Sequence, residues 1–117
     1  MPSEPRPWDL RIRHILDAIA ENLVYVNGLS FEEFSADSKT LKAVVWNLTM
    51  IGEAARHVPP AVQQAYSEIP WPQIRGMRNH IVHGYDQIDL EIVWKVVNDE
   101  LPPLVPQFER VLREAPE

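Results

Sequence analysis

Nine consecutive residues near the middle of the chain concentrate side chains that can bind anions and move protons. The segment Met77–Tyr85 contains one arginine, one asparagine, two histidines and one tyrosine. Residues 71–85 carry two arginines and two histidines but no acidic residue, whereas the whole chain has 17 acidic residues against 11 lysines and arginines. A local positive island in a chain of net charge −6 predicts a site for an anion.

The helical periodicity of this segment places its arginine in an unusual position. If the segment is a helix that runs to His83, one apolar face is formed by Trp71, Ile74, Met77, Ile81 and Val82. Arg78 falls in the middle of that face, while Asn79 and His83 share another. An unpaired guanidinium in a core is very costly. Two interpretations therefore stand with equal weight: Arg78 reaches an anion from a cleft or subunit interface, or it pairs with a core carboxylate, Glu53.

The rest of the chain reads as helices with clear ends. Apolar residues at spacings of three and four predict long helices before Asn27–Gly28, before Pro59–Pro60 and after Asp89. Short helices are predicted to begin at Ser30, which has capping-box spacing, and at Pro60. No segment alternates like a strand. The fold class is predicted to be all-α, an antiparallel four-helix bundle with one or two additional short helices, forming a single domain over residues 1–117.

Three further details of this bundle are predicted. Gly52 lies inside a helix beside Glu53, where it would permit a close helix crossing. Prolines after Leu101 predict a kink in the last helix rather than a new domain. Gly84 is expected to end the charged helix, with Tyr85 folding back on its last turn.

Composition narrows the class of protein. The chain has no cysteine, so it has no disulfide framework and no thiolate chemistry. No apolar run approaches membrane-spanning length, and we expect a cytoplasmic protein without a membrane partner. The acidic net charge argues against a nonspecific DNA-coating protein and leaves any nucleic-acid contact to a local patch.

The charged segment resembles a known family. Arg78, His83 and Tyr85 form the pattern R-x4-H-x-Y of HepT-like proteins in the HEPN superfamily. The flanking segments also resemble that family, namely Ile51–Ala55, Ile69–Trp71, Met77–Asn79, His83–Tyr85 and Asp89–Trp94. The R-x4-H pattern alone is weak evidence for the family. The flanking segments occur in the same order as in the family and extend the resemblance over nearly the whole chain.

The resemblance implies a toxin–antitoxin module. The HepT-like member would be a metal-independent endoribonuclease toxin that forms a homodimer and needs no cofactor. Its partner would be a minimal nucleotidyltransferase antitoxin (MntA-like) that transfers AMP from ATP to Tyr85. Arg78 and His83 would be catalytic, and Asn79 would match the polar residue that often follows the arginine.

The chemistry of RNA cleavage fits these residue types. Histidine can act as base or acid near neutrality, and arginine stabilises negative charge on a phosphate. One histidine cannot be both base and acid in one concerted step. We therefore expect that a second His83, from the other subunit of a homodimer, or His80 takes part in proton transfer. Arg75 could extend the RNA-binding rim or be ordinary solvated surface.

Alternative interpretations remain open. A metal held by His80 and His83 is the weaker one, since no third ligand is nearby in sequence. Without the resemblance, Tyr85 would be read as a helix-cap contact. The main rival to an enzyme is an inactive helical dimerisation or binding module that partners a nucleotidyltransferase.

Overall fold

The computed structural model describes residues 6–84 and 86–114, and these form mainly helices with one short hairpin. The elements are α1 (Asp9–Val26), α2 (Phe31–Ala36), α3 (Ser38–Arg56), α4 (Pro60–Ala65), α5 (Trp71–Arg75), α6 (Met77–Ile81), β1 (Val82–Gly84), β2 (Gln87–Ile88), α7 (Leu90–Lys95), a π-helical turn (Val96–Glu100) and α8 (Leu104–Glu114). The predicted all-α class is confirmed. None of the described helices is long and apolar enough to cross a membrane.

The predicted helix ends are confirmed at the residues that carry local signals. Gly28 follows α1 with a φ of +79°, the left-handed conformation that glycine adopts readily. Before α2, Ser30 and Glu33 form the reciprocal capping box, with donor–acceptor distances of 3.0 and 3.1 Å. Asp37 and Asp89 each accept a hydrogen bond from a backbone N–H in the first turn of α3 and α7.

The centre of the fold is the packing of α1 against α3, and two buried asparagines fix their register. Asn22 Nδ2 donates to Val44 O at 3.2 Å, and Asn47 Nδ2 donates to Asn22 Oδ1 at 3.1 Å. Nearer the start of α1, His14 lines a groove together with His57 from just beyond the end of α3. The two helices are therefore antiparallel.

Gly52 brings α3 against α5, which confirms the predicted close crossing. A Cβ atom at this position would lie 3.0 Å from the carbonyl oxygen of Ile74 and 3.4 Å from that of Arg75. Because only a glycine allows backbone to approach this closely, the last turn of α3 lies directly beside the charged segment.

The last helix is interrupted where its prolines predict. After α7, a π-helical turn ends with Leu101 N donating to the carbonyl five residues earlier at 2.8 Å. Pro102 and Pro103 have no N–H to continue the ladder, and α8 begins at Leu104. The Trp71 ring packs edge-on against Phe108 at 5.6 Å and joins α5 to α8.

The prediction of one helix up to His83 is wrong. Gly76 separates α5 from α6, and α6 ends at Ile81 because Val82 is extended, with φ −113° and ψ 110°. β1 then pairs antiparallel with β2, Val82 opposite Ile88. The expectation that no strand forms is also wrong, since β-branched residues on both sides of the turn favour pairing over another helical turn.

Two details at the end of the charged segment follow from this hairpin. Gly84 is the last residue of β1 and not the residue that ends a helix. Tyr85, predicted to fold back on that helix, lies outside the described residues.

Candidate active site

Arg78 lies on the surface of α6 and not in the apolar core. Met77 and Ile81 of this helix are buried, whereas Arg78, Asn79 and His80 are exposed. The helical pattern placed Arg78 in the middle of one apolar face, but in the structure that face is divided, because Met77 and Ile81 are buried and Arg78 is exposed. Gly76 separates this short helix from α5, and the exposed guanidinium avoids the cost of burial.

The alternative partner for Arg78, a core carboxylate at Glu53, is also wrong. The side chain of Glu53 is 59% exposed, and its Oε1 lies 3.5 Å from Arg56 Nε, one turn further along α3. No carboxylate among residues 6–84 and 86–114 forms an ion pair with Arg78. Of the two interpretations, the structure favours an arginine that reaches an anion from a cleft.

That cleft lies between the last turns of α3 and the α5–α6 segment and has a volume of about 150 Å³. We call it the cationic cleft; its lining includes Gly52, Glu53, Arg56, Arg75, Arg78 and Asn79. Three arginines against one glutamate give it a net charge of +2 in a chain of net charge −6. Three of the predicted site residues, Glu53, Arg78 and Asn79, are brought together in this cleft.

Arg56 is a cleft residue that the sequence did not reveal. Its Nη2 donates to the carbonyl oxygen of Arg75 at 3.1 Å, across the contact that Gly52 permits. Arg75 Nη1 in turn donates to Gln63 Oε1 of α4. In sequence, Arg56 is only an exposed cation at a helix C-terminus, and nothing but the α3–α5 contact connects it to Arg78.

His80 lines a different and larger cleft on the other side of α6. This cleft has a volume of about 590 Å³ and is bordered mainly by apolar residues, among them Ile74, Met77, Leu101 and Leu104. His80 therefore does not face the cleft that Arg78 lines. The structure gives no support to His80 as the residue that shares proton transfer at Arg78.

His83 is exposed on β1 and is not among the residues that line either cleft. Because His83 lies on a strand, the prediction that it shares a helical face with Asn79 is wrong. Among the described residues, no group of three histidine, aspartate or glutamate side chains is placed to hold a metal ion.

Large apolar side chains are exposed on α3 and also on α1. Trp46 is 62% exposed and Met50, one turn later on α3, is 36% exposed, although both are large apolar side chains. Leu10, Val24 and Tyr25 of α1 are exposed as well. Trp46 and Met50 lie at i and i+4 and lead along α3 toward Glu53 at the cationic cleft.

Comparison with known proteins now identifies the family. The model of the family described as "Ribonuclease HepT-like" matches residues 15–111. The chain belongs to the HepT-like ribonuclease family. The match includes every residue of the cationic cleft together with His83 and the hairpin.

Individual relatives are similar in sequence to this chain along most of their length. The chain is 34% identical over 110 residues to "Putative RNase TTE0752" of Caldanaerobacter subterraneus subsp. tengcongensis, which covers 94% of this chain and 96% of the relative. It is 33% identical to "Probable ribonuclease HepT" of Thermococcus cleftensis, over 86% of this chain and 91% of the relative. It is 31% identical to "Putative RNase MJ0127" of Methanocaldococcus jannaschii, over 86% and 83%. No solved structure matches.

Proposed function

We propose that this chain acts as a single domain and is a metal-independent endoribonuclease toxin of the cytoplasm that cleaves RNA with Arg78 and His83. The observation that carries the proposal is the family membership, together with an arginine that has no carboxylate partner among the described residues and lines a cleft of net positive charge. The names of the relatives, which designate them as RNases, support the same activity.

The chemistry assigns each residue a task. The imidazole of His83 accepts the proton of a ribose 2′-hydroxyl, whose oxygen then attacks the adjacent phosphorus. The bond from phosphorus to the 5′-oxygen breaks, and a proton donor neutralises that leaving oxygen. Arg78 holds the phosphate oxygens with its planar fork and stabilises the charge that develops on them. Asn79, beside Arg78 in the cleft, can hydrogen-bond the same phosphate.

The homodimer is part of this proposal. In a single chain, neither His80 nor His83 lines the cleft of Arg78, so a second copy is the simpler source of a histidine. Exposed Trp46 and Met50 offer an apolar surface that leads to the cleft and could be covered by that copy. We expect Trp46→Gln to shift the protein toward monomer in sedimentation, and Val24→Gln on α1 is the control for loss of apolar surface elsewhere.

The antitoxin completes the proposal and rests on the resemblance. A minimal nucleotidyltransferase would transfer AMP from ATP to Tyr85 and release pyrophosphate. The added bulk and negative charge two residues after His83 would repel the RNA phosphate. With a purified nucleotidyltransferase and ATP, mass spectrometry should show AMP on the wild-type chain and none on Tyr85→Phe.

The deciding experiment is RNA cleavage in EDTA by the purified chain, with mass spectrometry showing beforehand that Tyr85 carries no AMP. We expect His83→Ala to lower the rate about 100-fold or more and Arg78→Gln about 100- to 1000-fold. His14→Ala, an exposed histidine of α1, is the matched control and should cleave like wild type. Equal cleavage by all variants would indicate a contaminating nuclease.

A composite site makes a separate prediction. If each active site takes Arg78 from one copy and His83 from the other, mixing inactive Arg78→Gln and His83→Ala proteins under exchange conditions restores part of the activity. A mixture that stays inactive while mixed dimers are detected would refute the composite site and leave the nuclease itself intact.

The second candidate function is the inactive binding module. The acidic net charge favours it, because nucleases usually carry a wider basic surface than one cleft. This alternative predicts no cleavage of total RNA or tRNA by the unmodified protein, with dimerisation and nucleotidyltransferase binding retained.

A further inference from the structure

The cationic cleft contains two arginines to which the proposed chemistry gives no task. Arg56 and Arg75 come from different helices and meet only because Gly52 lets α3 approach α5. With Arg78 they place three guanidinium groups around one small cleft, to which the described residues contribute a single carboxylate, Glu53. Like charges this close repel one another unless an anion lies between them.

The hydrogen bonds and the ion pair that hold these arginines leave other N–H donors available. Arg56 uses Nε toward Glu53 and Nη2 toward the Arg75 carbonyl, so its Nη1 has no partner among the described residues. Arg75 uses Nη1 toward Gln63, which leaves its Nη2 without a described partner. Both guanidinium groups are thus fixed in position while still presenting N–H groups, the arrangement that suits phosphate oxygens.

We infer that Arg56 and Arg75 form a phosphate-binding subsite that holds the RNA backbone beside the phosphate at which Arg78 acts. The inference rests on the proposed function, since the ligand is the RNA backbone. Arg56 and Arg75 are positioning residues: they bind and align the strand, and Arg78 and His83 perform the cleavage.

The inference is tested by binding of a fluorescent single-stranded RNA with 2′-O-methyl riboses, which cannot be cleaved. Arg56→Gln and Arg75→Gln should each lower the affinity about tenfold at low ionic strength, as expected for one lost charge-assisted contact. Each should also reduce the slope of log K against log salt concentration by about 0.7, the value for one phosphate contact to a single strand. Arg13→Gln, an exposed arginine of α1, is the matched control and should change neither quantity.

Glu53→Gln is expected to strengthen RNA binding, a result that misfolding of the variant would not produce. Removal of the one carboxylate that the described residues contribute to the cleft should tighten RNA binding about threefold, as expected for one charge acting through water at roughly 7 Å. In the cleavage assay on unmodified RNA, Arg56→Gln and Arg75→Gln should raise KM with little change in kcat, whereas Arg78→Gln lowers kcat. Circular dichroism and thermal unfolding establish that the variants are folded.

The possible results separate this inference from the proposed function. If wild type cleaves RNA but Arg56→Gln and Arg75→Gln bind with unchanged affinity and salt slope, the subsite is refuted and the nuclease stands. If wild type neither binds nor cleaves RNA, both are refuted. A cleft that instead binds an acidic partner protein would appear as loss of that complex in Arg56→Gln with no RNA binding by wild type, which also overturns the inference.

Discussion

Replacing Gly52 with alanine tests whether the contact between α3 and α5 builds the cationic cleft. The new methyl carbon would lie 3.0 Å from the carbonyl oxygen of Ile74 and 3.4 Å from that of Arg75, and both are backbone atoms that cannot rotate away. Overpacking of this kind costs about 1–3 kcal/mol. Alanine gains about 1 kcal/mol over glycine within a helix. The expected net loss in the free energy of unfolding is therefore about 0–2 kcal/mol.

Chemical denaturation measures this difference, and thermal unfolding gives an independent reading. A loss of 1 kcal/mol lowers Tm by about 4–8 °C in a domain near 100 residues. Ala20→Gly, at an exposed position inside α1, calibrates the alanine–glycine difference in this protein and should cost about 1 kcal/mol. If Gly52→Ala instead stabilised the chain by the full amount that Ala20→Gly removes, the close approach of α3 and α5 would be refuted.

Two further predictions concern the scaffold that carries the site. Asn47→Leu leaves the buried Asn22 Oδ1 without its donor at 3.1 Å and should lower the free energy of unfolding by about 1–3 kcal/mol. Lys42→Leu, at an exposed position on the same helix, is the control. A change below about 0.5 kcal/mol in Asn47→Leu would contradict a stabilising role for the asparagine pair. The side-chain hydrogen bond from Thr40 lowers the pKa of Asp37 below its ordinary value of 3.8. A lowered carboxyl pKa stabilises the folded state at pH values above the ordinary pKa, and this stabilisation disappears as the pH falls through the folded-state pKa. The variant Asp37→Asn keeps a helix cap but cannot titrate. When unfolding is measured from pH 5 downward, this variant should therefore lose free energy of unfolding less steeply than wild type.

The helix ends could be predicted from the sequence because their causes are local. Ser30 and Glu33 satisfy each other across three residues, and Gly28 needs only its own backbone freedom to follow α1. Gly52 was also predicted to permit a close crossing, since a glycine inside an apolar helical stripe often marks a place where another backbone packs closely. What the sequence could not supply was the identity of the helix that crosses there.

The path of the charged segment could not be predicted because its hydrophobic pattern is compatible with two different backbone conformations. Apolar residues at 74, 77 and 81 fit one continuous helix, and they fit equally well two short helices that both face the core on either side of Gly76. The strand at Val82 depends on pairing with Ile88 across a turn, a contact that no helical periodicity reports. The predicted position of His83 on a helix was therefore wrong, although its choice as a candidate catalytic residue did not depend on that helix.

The proposed RNA site in the cationic cleft is compatible with the acidic net charge of the chain. Arg78 is an exposed residue of α6 and Arg56 an exposed residue of α3, and the charge of each alone would be screened by water and salt. The α3–α5 contact at Gly52 places them with Arg75 around one cleft, where their potentials add. Stability and RNA affinity should therefore change together in Gly52→Ala, whereas Arg56→Gln should change affinity with little effect on stability. If Gly52→Ala lost stability but kept full RNA affinity, the approach of the two helices would be a packing feature alone, and the arginines would bind RNA independently of it.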